Sequence, residues 1–385
     1  MKLLYCIPAL YNTGGMERVL TEKVNFLVNI QGYDITIVTT DHKEEQPICF
    51  PLDKRVKLVH LQLDYVGHFA YPLIKKYIAH TRKQRVYKKL LKQLIDEQGF
   101  DICISLCGKE VDFLGKLDVA CVKMAEIHFA MNVRSQFLEA RHIGLLWRWI
   151  GDIRTAQLVR SVKLLNKFVV LTEQDARQWR NKGCTNVAVI HNPCPFVNPP
   201  IGTLETKRVI SVGRLEPQKG YDMLIETWQI VAKKFPDWEL VIFGNGQDYE
   251  KLKQQIKRCD LESIVHLCGT TDTLETEYAK SSIYVMSSRY EGLPMSLIES
   301  MSCGLPVVSF DCEQGPRELI TDGENGFLVA PNDTKALADA LCRLMADTSL
   351  RKTMGAKAKE FSKSFTTDKI MAQWTDLFNQ LKKKT

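Results

Sequence analysis

Short apolar, β-branched runs alternate with longer amphipathic stretches along this 385-residue chain, and the alternation is interrupted once. In the first half the runs are Leu3–Ile7, Ile35–Thr39, Val56–Leu61, Ile102–Leu106, Val122–Ile127 and Phe168–Leu171. Helical patterns lie between them, among them Glu17–Ile30 and a basic stretch over roughly Phe137–Leu165. Such alternation predicts a parallel sheet with helices on both faces. At Asn192–Gly202 four prolines fall within eight residues, which neither a helix interior nor a central strand accepts. The alternation then resumes with Arg208–Val212, Leu240–Phe243, Ile264–Leu267, Ile283–Met286, Val307–Ser309 and Gly326–Val329. The expectation is two doubly wound α/β domains, 1–191 and 203–365, with 192–202 as linker. The length suffices for a core in each. The last stretch, 366–385, is amphipathic around Ile370, Trp374 and Phe378 and reads as a helix.

Composition narrows the class. With 45% hydrophobic and 25% charged residues the chain is globular, and no apolar stretch approaches the roughly 20 residues of a membrane span. Met1–Pro8 runs straight into the first strand and motif, so it reads as core strand and not as a secretion signal. Twelve cysteines are scattered without a C-x-x-C or zinc-type spacing, which points to reduced thiols and a cytoplasmic protein. The net charge of +7 is concentrated in the first half, and no acid occurs from Tyr65 through Ile95. There Lys75, Lys76, Arg82, Lys83, Arg85, Lys88, Lys89 and Lys92 interleave with Ile74, Tyr77, Ile78, Val86, Tyr87, Leu90 and Leu91. A basic amphipathic helix of this kind either lies on an anionic membrane or packs on its domain as a solvated face. Nucleic acid is not indicated, since no recognition motif accompanies the charge.

The chemistry-bearing residues cluster after predicted strands. Ser287–Glu299 follows the run Ile283–Met286 and sets Glu291 and Glu299 eight residues apart around Gly292, Leu293 and Pro294. A strand, a tight turn and a helix start converge free N–H groups and a helix dipole on one point, which suits an anion. Pro294 fits the first turn of that helix. Eight residues of helix span about 12 Å, too far for one acid–base pair but suited to two ends of a nucleotide sugar. Phosphates would lie over the helix start, hexose near Glu291, ribose diol near Glu299. Solvated surface acids remain the plain alternative. Gly14-Gly15-Met16-Glu17-Arg18 follows the first strand, and a glycine pair before a helix lets a ligand approach the backbone. Val212-Gly213-Arg214…Lys219-Gly220 puts two cations five residues apart on one loop beside a helix start, where surface cations are ordinarily solvated. Gly244-Asn245-Gly246 makes a further turn after a strand, and His128 stands at the end of another.

The Glu291…Glu299 spacing is an E-x7-E pattern, and with the glycine and Arg/Lys loops the chain resembles the family 4 retaining glycosyltransferases of the GT-B fold, of the type that builds bacterial surface polysaccharide, capsule or lipopolysaccharide. The resemblance covers most of the chain and is strongest from Val209 to Val329. It implies two Rossmann-like domains facing each other across a cleft, an acceptor-binding first domain, a donor-binding second one, and a last helix crossing back to the first. It implies that Arg214 and Lys219 hold the donor diphosphate, with the backbone of Gly14, Gly15, Leu293 and Pro294. Glu299, Gly244, Gly269 and Thr270 would hold the nucleotide, with Glu291 and His128 at the sugar. Phe310–Glu318 resembles a segment common in such bacterial members, with no chemical role assigned.

No D-x-D occurs in the chain. That favours holding the diphosphate without a metal, and the resemblance, with the basic face and the Phe310–Glu318 segment, implies retaining transfer without a cofactor from a nucleotide sugar (UDP-linked) to a glycan carried on a polyprenyl diphosphate. Contact with the inner membrane face would run through the basic first domain. A UDP-sugar 2-epimerase and a non-catalytic nucleotide-sugar-binding protein of the same fold are the alternatives.

Overall fold

The computed structural model describes residues 1–12, 14–65, 67, 73–131 and 145–383. The helix expected over Phe137–Leu165 is described from Leu145 to Val162; its beginning lies outside the described residues. The chain divides into two compact units.

Unit 1 comprises Met1–Met131, Asp152–His191 and the segment from Asp368 on. Its strands are β1 (Lys2–Ile7), β2 (Asp34–Thr39), β3 (Lys57–His60), β4 (Ile102–Ser105), β5 (Val122–Glu126), β6 (Lys167–Val170) and β7 (Val187–Val189). They form a parallel sheet in the order β3-β2-β1-β4-β5-β6-β7. Strand periodicity sends alternate residues to opposite faces. Leu3, Tyr5 and Ile7 of β1 pack with Leu20, Val24 and Leu27 of the helix Gly15–Gln31. Leu4 and Cys6 pack on the other face with Tyr87, Leu91 and Ile95 of the helix Leu73–Gln98. The last helix, Thr367–Lys382, buries Ile370, Met371, Trp374 and Phe378 in the first of these cores. β7 was not expected: three residues pairing with β6 are too short to show a period. In the basic helix the apolar residues divide. Tyr87 and Leu91 are core, while Tyr77 and Val86 stay exposed among Lys75, Arg82, Arg85, Lys88 and Lys89.

Unit 2 is built on Asn192–Thr367. Strands β8 (Arg208–Val212), β9 (Glu239–Phe243), β10 (Val265–Gly269), β11 (Ile283–Met286), β12 (Val307–Phe310) and β13 (Gly326–Val329) form a parallel sheet ordered β10-β9-β8-β11-β12-β13. Leu224, Trp228 and Val231 of the helix Tyr221–Lys234 pack in its core with Leu337, Leu341 and Leu344 of the helix Thr334–Ala346. The proline-rich 192–202 segment lies against this unit: Cys194 is buried and its N–H donates to the Phe365 carbonyl (2.7 Å).

In both sheets the order in which strands are added reverses once, between β1 and β4 in unit 1 and between β8 and β11 in unit 2. Loops leaving the carboxyl ends of such strands diverge and open the crevice in which open α/β sheets bind ligands.

Candidate active site

In unit 2 the loops after β8 and β11 are locked into one piece. The β8 loop runs through a single 3₁₀ turn, Pro217–Lys219, into Gly220 at φ 64°. A Cβ on Gly220 would stand 2.1 Å from the Ser287 carbonyl, so only glycine lets the two loops touch. Ser287 Oγ donates to the Lys219 carbonyl (2.9 Å), the Arg289 N–H to the Gln218 carbonyl (2.8 Å), and Gln218 Nε2 to the Tyr290 carbonyl (3.0 Å). The Arg289 guanidinium forks onto both oxygens of Asp222 (2.9 and 2.6 Å) and reaches the Pro217 carbonyl (2.7 Å). Burial pushes the Asp222 carboxyl up, but the Arg289 fork outweighs it and holds the group below its ordinary range.

This clasp carries Lys219 to Glu291. Lys219 Nζ lies 2.7 Å from Glu291 Oε1, which also accepts from Ser288 Oγ at 2.6 Å. The two side chains are 16% and 7% exposed, so a positive and a negative group face each other in a largely dehydrated pocket. Arg214, five residues before Lys219, is 68% exposed and is held at the rim by Glu216 Oε1 (3.2 Å) and Gln218 Oε1 (3.5 Å).

The helix after the β11 loop runs Met295–Ser302 with Pro294 at its N-cap, one position before the first-turn place expected for it. Pro294 makes no side-chain cap hydrogen bond to this end. Glu299, one turn in, is buried and its Oε2 accepts from Tyr278 OH (3.2 Å), while Tyr284 OH donates to Ser296 Oγ (2.7 Å). Burial raises both phenols well above their usual range.

The Phe310–Glu318 segment, to which sequence assigned no role, is the buttress of this loop. Tyr290 and Glu313 form a parallel bridge. Gly315, at φ 94°, packs so closely that a Cβ there would lie 2.4 Å from the Gly292 carbonyl and 2.5 Å from Pro294 Cδ. Cys312 is buried beside Glu291, and burial followed by that negative charge pushes its thiol well up.

The turn after β9 is tied to the same loops. Leu215 N–H donates to the Asn245 carbonyl (3.0 Å), Gly213 N–H to Phe243 (2.9 Å), and Gly244 N–H to the Gly269 carbonyl (2.7 Å). Thr270, next to Gly269, is exposed. Unit 2 therefore gathers Arg214, Lys219, Glu291, Leu293, Pro294, Gly244 and Gly269 on interlocked loops at one end of its sheet. Among them Lys219 and Glu291 touch through their side chains, and Gly244 and Gly269 through their backbones.

In unit 1, Gly14 is the N-cap of the helix Gly15–Gln31, and a Cβ on Gly15 would meet nothing within 4 Å. Glu17 is buried in the first turn and accepts from Asn12 Nδ2 (3.1 Å). His128 follows β5 with its side chain 7% exposed. Neither ring nitrogen has a hydrogen-bond partner among the described residues, and Nε2 is 3.8 Å from Glu126 Oε2. Buried polar atoms left unpaired are costly, and a ligand hydroxyl would satisfy them.

Sequence reading missed Glu126 and its buried partner Lys23. Both left a signal: Lys23 interrupts the apolar stripe Leu20–Val24–Leu27, and Glu126 interrupts the apolar run Val122–Ile127. It also missed Ser288, Asp222 and Arg289, for which no local signal exists.

Known proteins place the chain. Residues 201–361 match the family model described as Glycosyl transferases group 1. An uncharacterized glycosyltransferase of Haemophilus influenzae is 30% identical over 377 residues, 97% of this chain and 98% of that protein. The amylovoran biosynthesis glycosyltransferase AmsD of Erwinia amylovora is 28% identical over 98% of this chain and 99% of its own. A Campylobacter jejuni N-acetylgalactosaminyltransferase, named for a GalNAc-containing diphospho-undecaprenol acceptor, is 25% identical over 99% of both. Among solved structures, a Staphylococcus aureus TarM variant in complex with fondaparinux, α-GlcNAc-glycerol and UDP superposes with a TM-score of 0.77, at 20% identity over 98% of this chain and 99% of that one. The chain belongs to the group 1 glycosyltransferases and has the GT-B fold.

Proposed function

We propose that the chain is a retaining, metal-independent glycosyltransferase that moves a hexose or N-acetylhexosamine from a UDP-sugar to a lipid-diphosphate-linked glycan in surface polysaccharide synthesis. The observation that carries this reading is the buried Glu291 held against Lys219 on two interlocked loops. A donor diphosphate competes for the ammonium: Lys219 turns to a phosphate oxygen, Arg214 closes from the rim, and the freed Glu291 oxygen accepts sugar hydroxyls. The helix start at Pro294 adds N–H groups to the phosphates, and Glu299 takes the ribose diol. In transfer, the acceptor hydroxyl bonds to the anomeric carbon on the face from which the diphosphate leaves. The C–O bond to phosphate breaks, and the hydroxyl proton passes to the departing phosphate oxygen. The two cations stabilise the charge that develops there, the task a divalent ion performs elsewhere. His128, whose ring nitrogens have no hydrogen-bond partner among the described residues, contacts substrate hydroxyls.

The relatives' names support the acceptor class: AmsD is named for amylovoran biosynthesis and the Campylobacter enzyme for a diphospho-undecaprenol glycan. UDP in the TarM complex supports the nucleotide. Among the described residues no helix is long and apolar enough to cross a membrane. The exposed Tyr77 and Val86 among the lysines and arginines of Leu73–Gln98 supply a surface for the anionic inner face. The test is UDP release from a panel of UDP-sugars, with and without EDTA and with and without polyprenyl-diphosphate glycans, followed by NMR of the product's anomeric configuration. Acceptor-dependent, EDTA-insensitive release with retention supports the reading. Inversion or full loss in EDTA overturns it, and donor isomerisation without acceptor identifies the epimerase.

A further inference from the structure

Two oppositely charged side chains in unit 1 are buried among apolar groups. Lys23 sits in the inward stripe of the helix Gly15–Gln31, and Glu126 is the last residue of β5; they are 1% and 2% exposed and are ion-paired through Glu126 Oε2. The ring of Trp374, from the last helix, covers Lys23 with Nζ 3.8 Å from its centroid, and the Tyr5 ring lies 6.0 Å away. Burial pushes the Glu126 carboxyl up, but the Lys23 charge and the neighbouring His128 outweigh it and hold the group at about 2. Burial lowers the Lys23 ammonium.

Stability alone does not explain such a pair. Removing two ions from water costs several kcal/mol each, and apolar residues of similar volume commonly hold a core as well or better. The second Glu126 oxygen, Oε1, is buried with no hydrogen-bond partner among the described residues, as are both ring nitrogens of His128. His128 Nε2 is 3.8 Å from the carboxylate, one small ring rotation from a hydrogen bond. That bond, to the Oε2 that Lys23 also holds, would give an orphaned ring nitrogen a buried partner.

We infer that Glu126 is the positioning residue of His128. It accepts a hydrogen bond from Nε2–H, which fixes the tautomer and leaves Nδ1 as the acceptor for a substrate hydroxyl; carboxylates orient functional histidines this way in unrelated sites. Lys23 keeps the carboxylate anionic and in place, and Trp374 shields Lys23 from water. The last helix is thereby part of the device. The inference rests on the proposed contact of His128 with substrate, and no proton moves to Glu126.

The experiment is NMR of protein labelled with ¹⁵N-histidine, with His128 assigned by His128→Gln, on wild type and on Lys23→Met/Glu126→Leu. The wild type is expected to show a single Nε2–H tautomer for His128. The double variant removes both charges, so it is expected to melt at or above the wild-type temperature while His128 becomes a tautomer mixture. Its UDP-release turnover is expected to fall roughly 10–100-fold, the scale seen when an orienting partner is lost, with UDP affinity unchanged. Identical His128 signals in the two proteins overturn the inference. Wild-type turnover in His128→Gln, with the tautomer change intact, would instead sink the substrate contact and leave the positioning standing. If the double variant does not fold, Lys23→Met/Glu126→Met, unbranched and without an acceptor, takes its place under the same criterion.

Discussion

Gly315→Ala tests whether Phe310–Glu318 holds the Glu291 loop in place. Gly315 has φ 94° and ψ −62°, a conformation that residues with a Cβ adopt at a cost of about 1–3 kcal/mol. The added methyl would also sit 2.4 Å from the Gly292 carbonyl and 2.5 Å from Pro294 Cδ, so 292–294 must move. Overpacking of this kind costs a further ~1–3 kcal/mol. The sum, roughly 2–6 kcal/mol, lowers the melting temperature by about 4–24 °C at 2–4 °C per kcal/mol for a unit of this size. The displaced loop carries Glu291 away from Lys219, so donor turnover falls as well. Gly323→Ala is the control: φ is 75°, but a Cβ there meets nothing within 4 Å. It is expected to cost about 1–2 kcal/mol of backbone strain and to leave turnover intact. Calorimetry and UDP release on both variants read the difference. Gly315→Ala with the turnover and stability of Gly323→Ala would refute the buttress.

Asp222→Asn should remove the Arg289 fork and with it stability that depends on pH. The folded-state pKa of Asp222 is lowered, so its contribution is fully present above the unfolded value near 4 and is lost as pH falls through the lower folded value. The wild-type advantage over Asp222→Asn is therefore expected to be flat at neutral pH and to shrink below about pH 4, as chemical denaturation across pH would show. Trp374→Ala, which empties a site 2% exposed in the core of unit 1, is expected to cost about 3–5 kcal/mol; a change under 1 kcal/mol in urea titration would contradict that seating of the last helix. Lys88→Glu/Lys89→Glu on the exposed face of Leu73–Gln98 is expected to abolish sedimentation with phosphatidylglycerol vesicles and to spare binding to UDP. Unchanged sedimentation would remove the membrane surface from the account.

Architecture was legible because both sheets are parallel and buried, so each central strand announces itself as an apolar run between helical patterns. β7 was not, because three residues carry no period. At the site, residue types were legible and contacts were not. Arg214, Lys219 and Glu291 stood out by motif, whereas the bond between Lys219 and Glu291 joins positions 72 residues apart through folding of the whole unit. Arg289 and Asp222, 67 residues apart, look like ordinary surface charges until the loops meet. Gly315 gave a glycine in a Gly-Pro turn; its fit over Gly292 belongs to tertiary structure. Lys23 and Glu126 are the instructive case: each breaks an apolar pattern, and only the fold shows that they are one buried pair.

In the proposed function Glu291 acts on the sugar while Lys219 and Arg214 hold the diphosphate. Steady-state UDP release by Glu291→Gln, beside calorimetric binding of UDP, tests it most directly. The expected result is a kcat lower by about 10²–10³, the scale of losing one group that stabilises a transition state, with UDP binding preserved. Turnover at the wild-type rate, or equal losses in turnover and UDP binding, would contradict the account.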